Sequence, residues 1–120
     1  MIDRGEGAIM VTGNTSSFRG IPQRPAFAPT KAAQRILAQS LAKDLGPKRV
    51  HVGYITIDAA IDAPWRRDTS PFPDWQDKPG DYFAHPDAIA DEVYHIAHQH
   101  PSTWSFDHVI RPFSENWTLN

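Results

Sequence analysis

Residues 25–47 read PAFAPTKAAQRILAQSLAKDLGP, and this stretch decides the predicted fold. Its larger apolar residues recur at three- and four-residue spacing, which is typical of an amphipathic helix with one face on a core. These residues are Ala33, Ile36, Leu37, Leu41 and Leu45. Gly46 and Pro47 follow them and predict the end of the helix, because neither residue favours its continuation.

A predicted strand lies on each side of this helix. Residues 8–12 form a short apolar run that ends at Gly13, and such a run predicts a strand buried on both faces. Residues 50–57 are rich in β-branched and aromatic residues and predict a second strand. Gly20 and Pro22 interrupt the segment before the helix and indicate a loop.

The second half of the chain begins with a proline-rich segment, residues 58–83, which we interpret as a long loop or lid. Its prolines leave room for only a turn or two of helix near residues 65–67. His85, Pro86 and Asp87 then predict a helix start, with proline at the first position and an acid in the first turn. The apolar stripe of that helix is Ile89, Val93, Ile96 and Ala97, and residues 105–111 predict a last strand.

The predicted order is strand, helix, strand, loop, helix, strand. This order favours two right-handed crossovers between parallel strands, because helical connections join parallel neighbours. The sequence therefore predicts an α/β fold of the partial Rossmann-like, doubly wound type, with three parallel strands and crossover helices. We expect residues 1–120 to form a single domain.

Composition narrows the classes of partner and compartment. The 120 residues carry a formal net charge of −2 and no long run of Lys or Arg, which argues against nucleic acid or an anionic membrane surface as a partner. No apolar run approaches the ~20 residues that cross a bilayer, and residues 1–7 lack a secretory pattern. Cysteine is absent, so there is no disulfide or thiolate metal site. We expect a cytoplasmic protein.

The helix and its entry resemble the active-site helix of the short-chain dehydrogenase/reductase family. In that family a Tyr four residues before a Lys exchanges a proton with the substrate oxygen, and the Lys lowers the phenol pKa and holds the cofactor ribose. Here the Lys is Lys31 and the Tyr position is Phe27. A phenyl ring cannot transfer a proton at any pH.

This resemblance covers nearly the whole chain and implies the C-terminal half of such a protein. Residues 7–11 resemble its fifth strand, residues 50–57 its sixth and residues 104–113 its seventh. The first half would carry the glycine-rich turn that receives the pyrophosphate, but this chain has no Gly-x-x-x-Gly-x-Gly or Gly-x-Gly-x-x-Gly motif. We therefore expect no cofactor on the isolated chain, and NAD or NADP only with a complementing N-terminal half.

The resemblance also implies the remaining site residues. The substrate-orienting Ser falls at Asn14, thirteen residues before Phe27, and Ser16 or Ser17 is an alternative in a shifted loop. An amide at Asn14 can still donate a hydrogen bond to a carbonyl oxygen.

The vestigial cofactor positions are implied in the same way. The Pro-Gly that flanks the nicotinamide falls at Asp58 and Ala59, or one residue earlier, and the cofactor-binding Thr falls at Ala63. Lys31 is the member of the catalytic set that is retained without ambiguity.

Plainer interpretations stand beside these roles. Lys31 near a helix start is an ordinary surface charge, Phe27 a core aromatic at a helix entry, and Asn14 a turn former. Asp58 and Asp62 suggest paired acid and base groups, although an acid at the end of a strand commonly caps the next element.

Six histidines are a high count for this length. His95 and His98 lie three apart on one predicted helix with His100 just beyond, a spacing that can share a metal. No third ligand is evident, and cations favour a helix C-terminus. We therefore expect a solvated helix end and no metal.

Two functions remain open from the sequence. The chain is either the substrate side of a short-chain dehydrogenase/reductase that meets a nucleotide-binding chain, or a non-catalytic module that acts by self-association or partner binding. In both cases the helix at 29–45 should form a homodimer or higher symmetric oligomer, since half of a doubly wound sheet leaves apolar surface uncovered.

Overall fold

The computed structural model describes residues 1–65 and 76–114. Within them three strands form one parallel sheet in the order β1-β2-β3, with β1 at Gly7–Gly13, β2 at Val50–Ile57 and β3 at Asp107–Ile110. Helix α1 spans Phe27–Leu45 and helix α2 spans Pro86–Ala97. The predicted α/β class, the parallel sheet and the crossover order are confirmed.

The two helices pack on opposite faces of β2. A Cβ built on Gly53 would lie 3.4 Å from Ile96 of α2, so this face of β2 approaches α2 closely. The adjacent Tyr54 points to the other face, where the guanidinium of Arg35 in α1 lies 6.0 Å from its ring centroid. Because β2 is central and covered on both sides, seven of its eight residues are buried.

The β1 strand differs from expectation. Residues 8–12 predicted a strand buried on both faces, but Gly7 to Thr12 are half-buried or exposed and only Gly13 is buried. The reason lies in the strand order, because β1 pairs with β2 on one side and forms an edge of the described sheet. An apolar run therefore identified the strand but not its place in the sheet.

The end of α1 lies where the sequence predicted it. The helix stops at Leu45, and Gly46–Lys48 form a short 3-10 turn. Gly46 has an ordinary right-handed φ of −53°, and Arg49 adopts the left-handed φ of 63° that reverses the chain. Arg49 then donates from Nε to the carbonyl of Gly5 at 3.1 Å, which fixes this turn beside the start of β1.

The predicted lid, residues 58–83, is only partly described, and the expected turn of helix at 65–67 lies almost wholly outside the described residues. Its two ends are joined by an isolated parallel bridge between Ile61 and Ala84, and a 3-10 turn covers Gly80–Tyr82. Helix α2 begins at Pro86 with Asp87 in its first turn, as predicted. β3 is shorter than the predicted 105–111.

Candidate functional site

The residues predicted to orient a substrate lie together at the carboxyl end of β1. Asn14 precedes a 3-10 turn at Thr15–Ser17, and its side-chain oxygen accepts a hydrogen bond from the amide of Ser16 at 3.1 Å. The hydroxyl of Ser17 donates to the Asn14 carbonyl at 2.8 Å. Asn14 is therefore a turn former, as its plainer interpretation expected, and its side-chain NH2 is the group left to meet a ligand.

The two serines differ in what they offer. Both are buried, but the Ser17 hydroxyl is committed to the Asn14 carbonyl, whereas the Ser16 hydroxyl makes no hydrogen bond to another described residue. Both line a shallow pocket of about 290 Å3 against Ala28, Pro29 and Ala32 of α1. Ser16 is consequently the better of the two candidates for a contact with a bound molecule.

Phe27 is the first residue of α1, and its exposure overturns one expectation. The side chain is 38% exposed, so its interpretation as a core aromatic is wrong. The first turn of α1 is exposed on most of its positions, and only Ala28 beside Phe27 is buried. Phe27 thus presents an apolar ring, without a hydroxyl, to the space beside the site.

Lys31 lies one helical turn after Phe27 on the same side of α1. It is half-buried, and Nζ donates to the side-chain oxygen of Gln34 at 3.1 Å. Its interpretation as a freely solvated charge is therefore incomplete. Within this group Lys31 and Asn14 supply hydrogen-bond donors, and Phe27 supplies no proton. The group therefore has donors but no evident general acid.

The vestigial cofactor positions follow β2. Asp58 is 4% exposed, and its carboxylate lies 3.3 Å from the guanidinium of Arg111. Ala59 and Ala63 are half-buried, and their methyl groups offer no donor. The Asp58–Arg111 pair joins the ends of β2 and β3, where Asp58 also donates its backbone N–H to Ile110 at 3.0 Å.

A dinucleotide, which the family resemblance implies, needs a site for its pyrophosphate. The two strand-to-helix connections, residues 14–26 and 58–85, contain no glycine-rich turn, and a pyrophosphate needs the close backbone approach that such a turn allows. The Thr position is Ala63, and a buried ion pair replaces the Pro-Gly. These residues alone do not fit a dinucleotide.

Sequence reasoning missed Arg111 and Tyr54. Arg111 follows β3, and parallel strands bring their carboxyl ends to one edge, so the pairing with Asp58 had a detectable signal. Tyr54 is fully buried, and its hydroxyl occupies the space beside Gly13: a Cβ there would approach the oxygen to 1.8 Å. Any side chain at position 13 would overlap the Tyr54 hydroxyl, so this position next to the site requires glycine.

Two of the three histidines near the end of α2, His98 and His100, form local hydrogen bonds. His98 donates from Nδ1 to the carbonyl of Tyr94 at 2.8 Å and stacks on that ring. His100 accepts from the amide of Ser102 at the start of a short turn. Across residues 1–65 and 76–114 no group of three His, Asp or Glu side chains is placed to hold a metal. The described helices also include none long and apolar enough to cross a membrane.

No family model and no curated protein sequence matches the chain. A short-chain dehydrogenase from Rhodopseudomonas palustris is 33% identical, with a TM-score of 0.69 over 94% of this chain and 42% of that one.

Two further structures share the fold at lower identity. L-sorbose reductase from Gluconobacter frateurii, solved with NADPH and L-sorbose, is 20% identical with a TM-score of 0.74 over 93% of this chain. A serine dehydrogenase solved with NADP+ is 17% identical with a TM-score of 0.78 over 98%. The chain spans between 42% and 49% of the length of these three structures. The resemblance predicted from the sequence is confirmed.

Proposed function

We propose that this chain, which resembles about half of a short-chain dehydrogenase/reductase, supplies the substrate side of that fold and does not carry out hydride transfer alone. The observation that carries the proposal is the pairing of Lys31 with an exposed Phe27 at the Tyr position. The ammonium is retained and the phenol is lost. A bound carbonyl or hydroxyl group therefore meets hydrogen-bond donors, but no side chain at position 27 can exchange a proton with its oxygen.

The substrate side consists of the carboxyl end of β1 and the first turns of α1. The NH2 group of Asn14 and the hydroxyl of Ser16 approach a ligand oxygen, and Phe27 provides an apolar wall. The shallow pocket beside Ser16 limits the bound portion to a small group. This proposal assigns binding and orientation to the chain, and leaves its substrate unnamed.

The cofactor depends on a second unit. We assign NAD or NADP to a complementing N-terminal half that carries the glycine-rich turn, either upstream in a longer polypeptide or in a partner chain. The length of the structural relatives, about twice that of this chain, supports the idea. We also propose that this protein lies in the cytoplasm, because a chain without cysteine suits a reducing compartment.

Self-association through α1 completes the proposal. Ile36 is 55% exposed and Leu37 is 61% exposed on the outer face of α1. Adjacent large aliphatic side chains at this exposure favour an interface, since water contact with both is unfavourable. A homodimer around residues 29–45 would cover them.

The second candidate is a non-catalytic module that acts only through this association. The exposed pair on α1 and the lost phenol favour it equally well. Nucleotide binding distinguishes the two candidates. A substrate half should bind NAD(P) once a unit with the glycine-rich turn is added, whereas a non-catalytic module should not.

The first prediction concerns the cofactor. NADH and NADPH at millimolar concentration should leave the melting temperature of the 120-residue chain unchanged, because the pyrophosphate has no turn to bind. A ligand at ~100 times its Kd adds about 2.7 kcal/mol, so a tight site would be visible. L-sorbose reductase, which crystallised with NADPH, serves as the positive control. A saturable rise of several degrees in this chain would overturn the proposal.

A further inference from the structure

A second cavity lies apart from the Asn14–Lys31 group, between the end of β3 and the start of α2. Its volume is about 400 Å3, within the range of small-molecule sites. Its walls are apolar and include Phe83, which is 3% exposed, with Ile89 and Ile110. It lies at the carboxyl end of a parallel strand, where open α/β folds commonly receive ligands.

Four charged or titratable side chains line this cavity: Asp81, His85, Glu92 and Arg111. The two basic groups face acids outside the lining. Arg111 lies 3.3 Å from Asp58, and His85 lies 3.7 Å from Asp62. Among the described residues, neither Asp81 nor Glu92 forms an ion pair with a basic group of this lining.

Glu92 is the more significant of these two acids because it is half-buried. Its carboxylate makes no hydrogen bond or ion pair to any residue in the described part of the chain. His108 is near enough to feel its charge, but burial lowers the pKa of His108, so this imidazole is largely neutral at pH 7. Glu92 thus remains an uncompensated negative charge beside an apolar wall.

An anionic ligand fits this cavity poorly. The start of α2 would attract an anion through its backbone N–H groups, but Asp87 already places a carboxylate in that first turn. A neutral apolar ligand would remove water from Glu92 without replacing its hydrogen bonds. A cation with an apolar body satisfies both the charge and the walls.

We propose that this cavity binds a small primary amine, with its ammonium group at Glu92 and its apolar body against Phe83, Ile89 and Ile110. The inference does not rest on the Asn14–Lys31 group, with which the cavity shares no residue. Charged hydrogen bonds to a half-buried carboxylate fix the head group. Exclusion of water from the walls supplies the remaining affinity.

The test uses three probes with the same ring and different charges: phenethylamine, phenethyl alcohol and phenylacetate. Each is titrated into the 15N-labelled 120-residue chain and followed by amide chemical shifts. We expect phenethylamine to shift the backbone amides of the non-proline residues in 83–92 and 110–113. It should bind about tenfold more tightly than phenethyl alcohol, a difference of about 1.4 kcal/mol. Phenylacetate should bind more weakly than either.

Two matched variants identify the head-group contact. Glu92→Gln should remove the tenfold preference for the amine and leave the affinity for phenethyl alcohol nearly unchanged. Asp91→Asn makes the same charge change at the neighbouring exposed position of α2, and it should retain the preference. Ala88→Phe places a ring in the cavity and should abolish binding of both probes while the amide spectrum stays that of a folded chain.

Two results would overturn the proposal. One is equal affinity for the amine and the alcohol, and another is an equal effect of Glu92→Gln and Asp91→Asn, which would indicate net charge alone.

Discussion

At position 27, a ring without a hydroxyl stands one turn before a retained ammonium group. The two side chains share one side of α1, and the ring is accessible. A hydroxyl added to this ring would enter the field of Lys31, and a nearby cation favours the phenolate. The loss at position 27 can therefore be reversed by a single substitution.

The second prediction concerns this substitution. In Phe27→Tyr the introduced phenol should ionise below the ordinary pKa of about 10, seen in ultraviolet difference titration against the wild-type chain. Phe27→Tyr combined with Lys31→Met should return it to the ordinary range. Neither variant should oxidise NADPH alone, since the hydride donor has no complete site. Identical phenol titrations in both variants would mean that Lys31 does not face position 27.

His108 gives the chain a defined response to acid. Its Nε2 lies 2.6 Å from the hydroxyl of Ser105. Its pKa lies below the ordinary 6.5, first because of burial and then because of His51 and His95, with Glu92 and Asp107 opposing. The folded chain consequently holds His108 neutral in a range where the unfolded chain protonates it.

The third prediction is the sign of that response. Because the unfolded state binds more protons below pH 6.5, stability should fall as the pH decreases through this value. His108→Gln retains an amide donor for Ser105 and should lose less stability than the wild type between about pH 7.5 and about pH 5.5, measured by urea denaturation. His98→Gln, at an exposed position, should behave as the wild type. If the stability of His108→Gln fell with pH as steeply as that of the wild type, His108 would not be the source of the pH dependence.

At the scale of elements, the ends of β2 and β3 are joined by one buried ion pair. The side chains of Asp58 and Arg111 are 5% and 13% exposed. Removing one partner of such a pair leaves a charge in a medium that solvates it poorly, which costs more than the pair contributes.

The fourth prediction uses this asymmetry. Arg111→Met should lower the free energy of unfolding by about 3–5 kcal/mol, whereas the double variant Asp58→Leu with Arg111→Met should recover most of the loss. Arg24→Met, at an exposed position in the first loop, is the control for removal of a guanidinium. Equal destabilisation in the single and double variants would show that the loss does not come from the Asp58 charge left behind in Arg111→Met.

The sequence predicted some elements and sites better than others. The bounds of β2 and the extent of α1 follow from local patterns. The spacing did not identify the core face of α1, because Ile36 and Leu37 of its predicted apolar stripe are exposed and Ala38 is buried instead. The half-burial of β1, the exposure of Phe27 and the partner of Asp58 depend on strands and helices distant in sequence. A single chain pattern does not encode which strand lies at an edge or which side chains meet there.

At the scale of the whole molecule, α1 carries a large exposed aliphatic pair in its middle. Ile36 and Leu37 are next to each other on the helix, and Ala38 beside them is buried on the sheet side. The outer pair therefore contributes little to the core of one chain. This separation allows association to be removed without unfolding.

The fifth prediction concerns mass in solution. The chain should have at least twice its 13.5 kDa by light scattering at micromolar concentration. Ile36→Asp with Leu37→Asp should reduce it to a folded monomer, because carboxylates at a shared interface repel. Ile2→Asp, at a residue 53% exposed, should leave the mass unchanged. A wild-type monomer would contradict an interface on α1.

The parallel sheet also has a kinetic consequence. Gly7 pairs with Val50, and Tyr54 pairs with Asp107, so the described sheet contains no hairpin and each strand contact must close a long stretch of chain. The chain loses conformational entropy on this closure before the contact can stabilise it. Because of this cost, such sheets fold slowly, on the order of milliseconds to seconds. Helix α1 forms from local contacts and should form first. The backbone N–H and C=O groups of β1 stay unpaired until β2 reaches them. During that interval a strand from another chain can take the place of β2, so the yield of refolding should fall as the protein concentration rises.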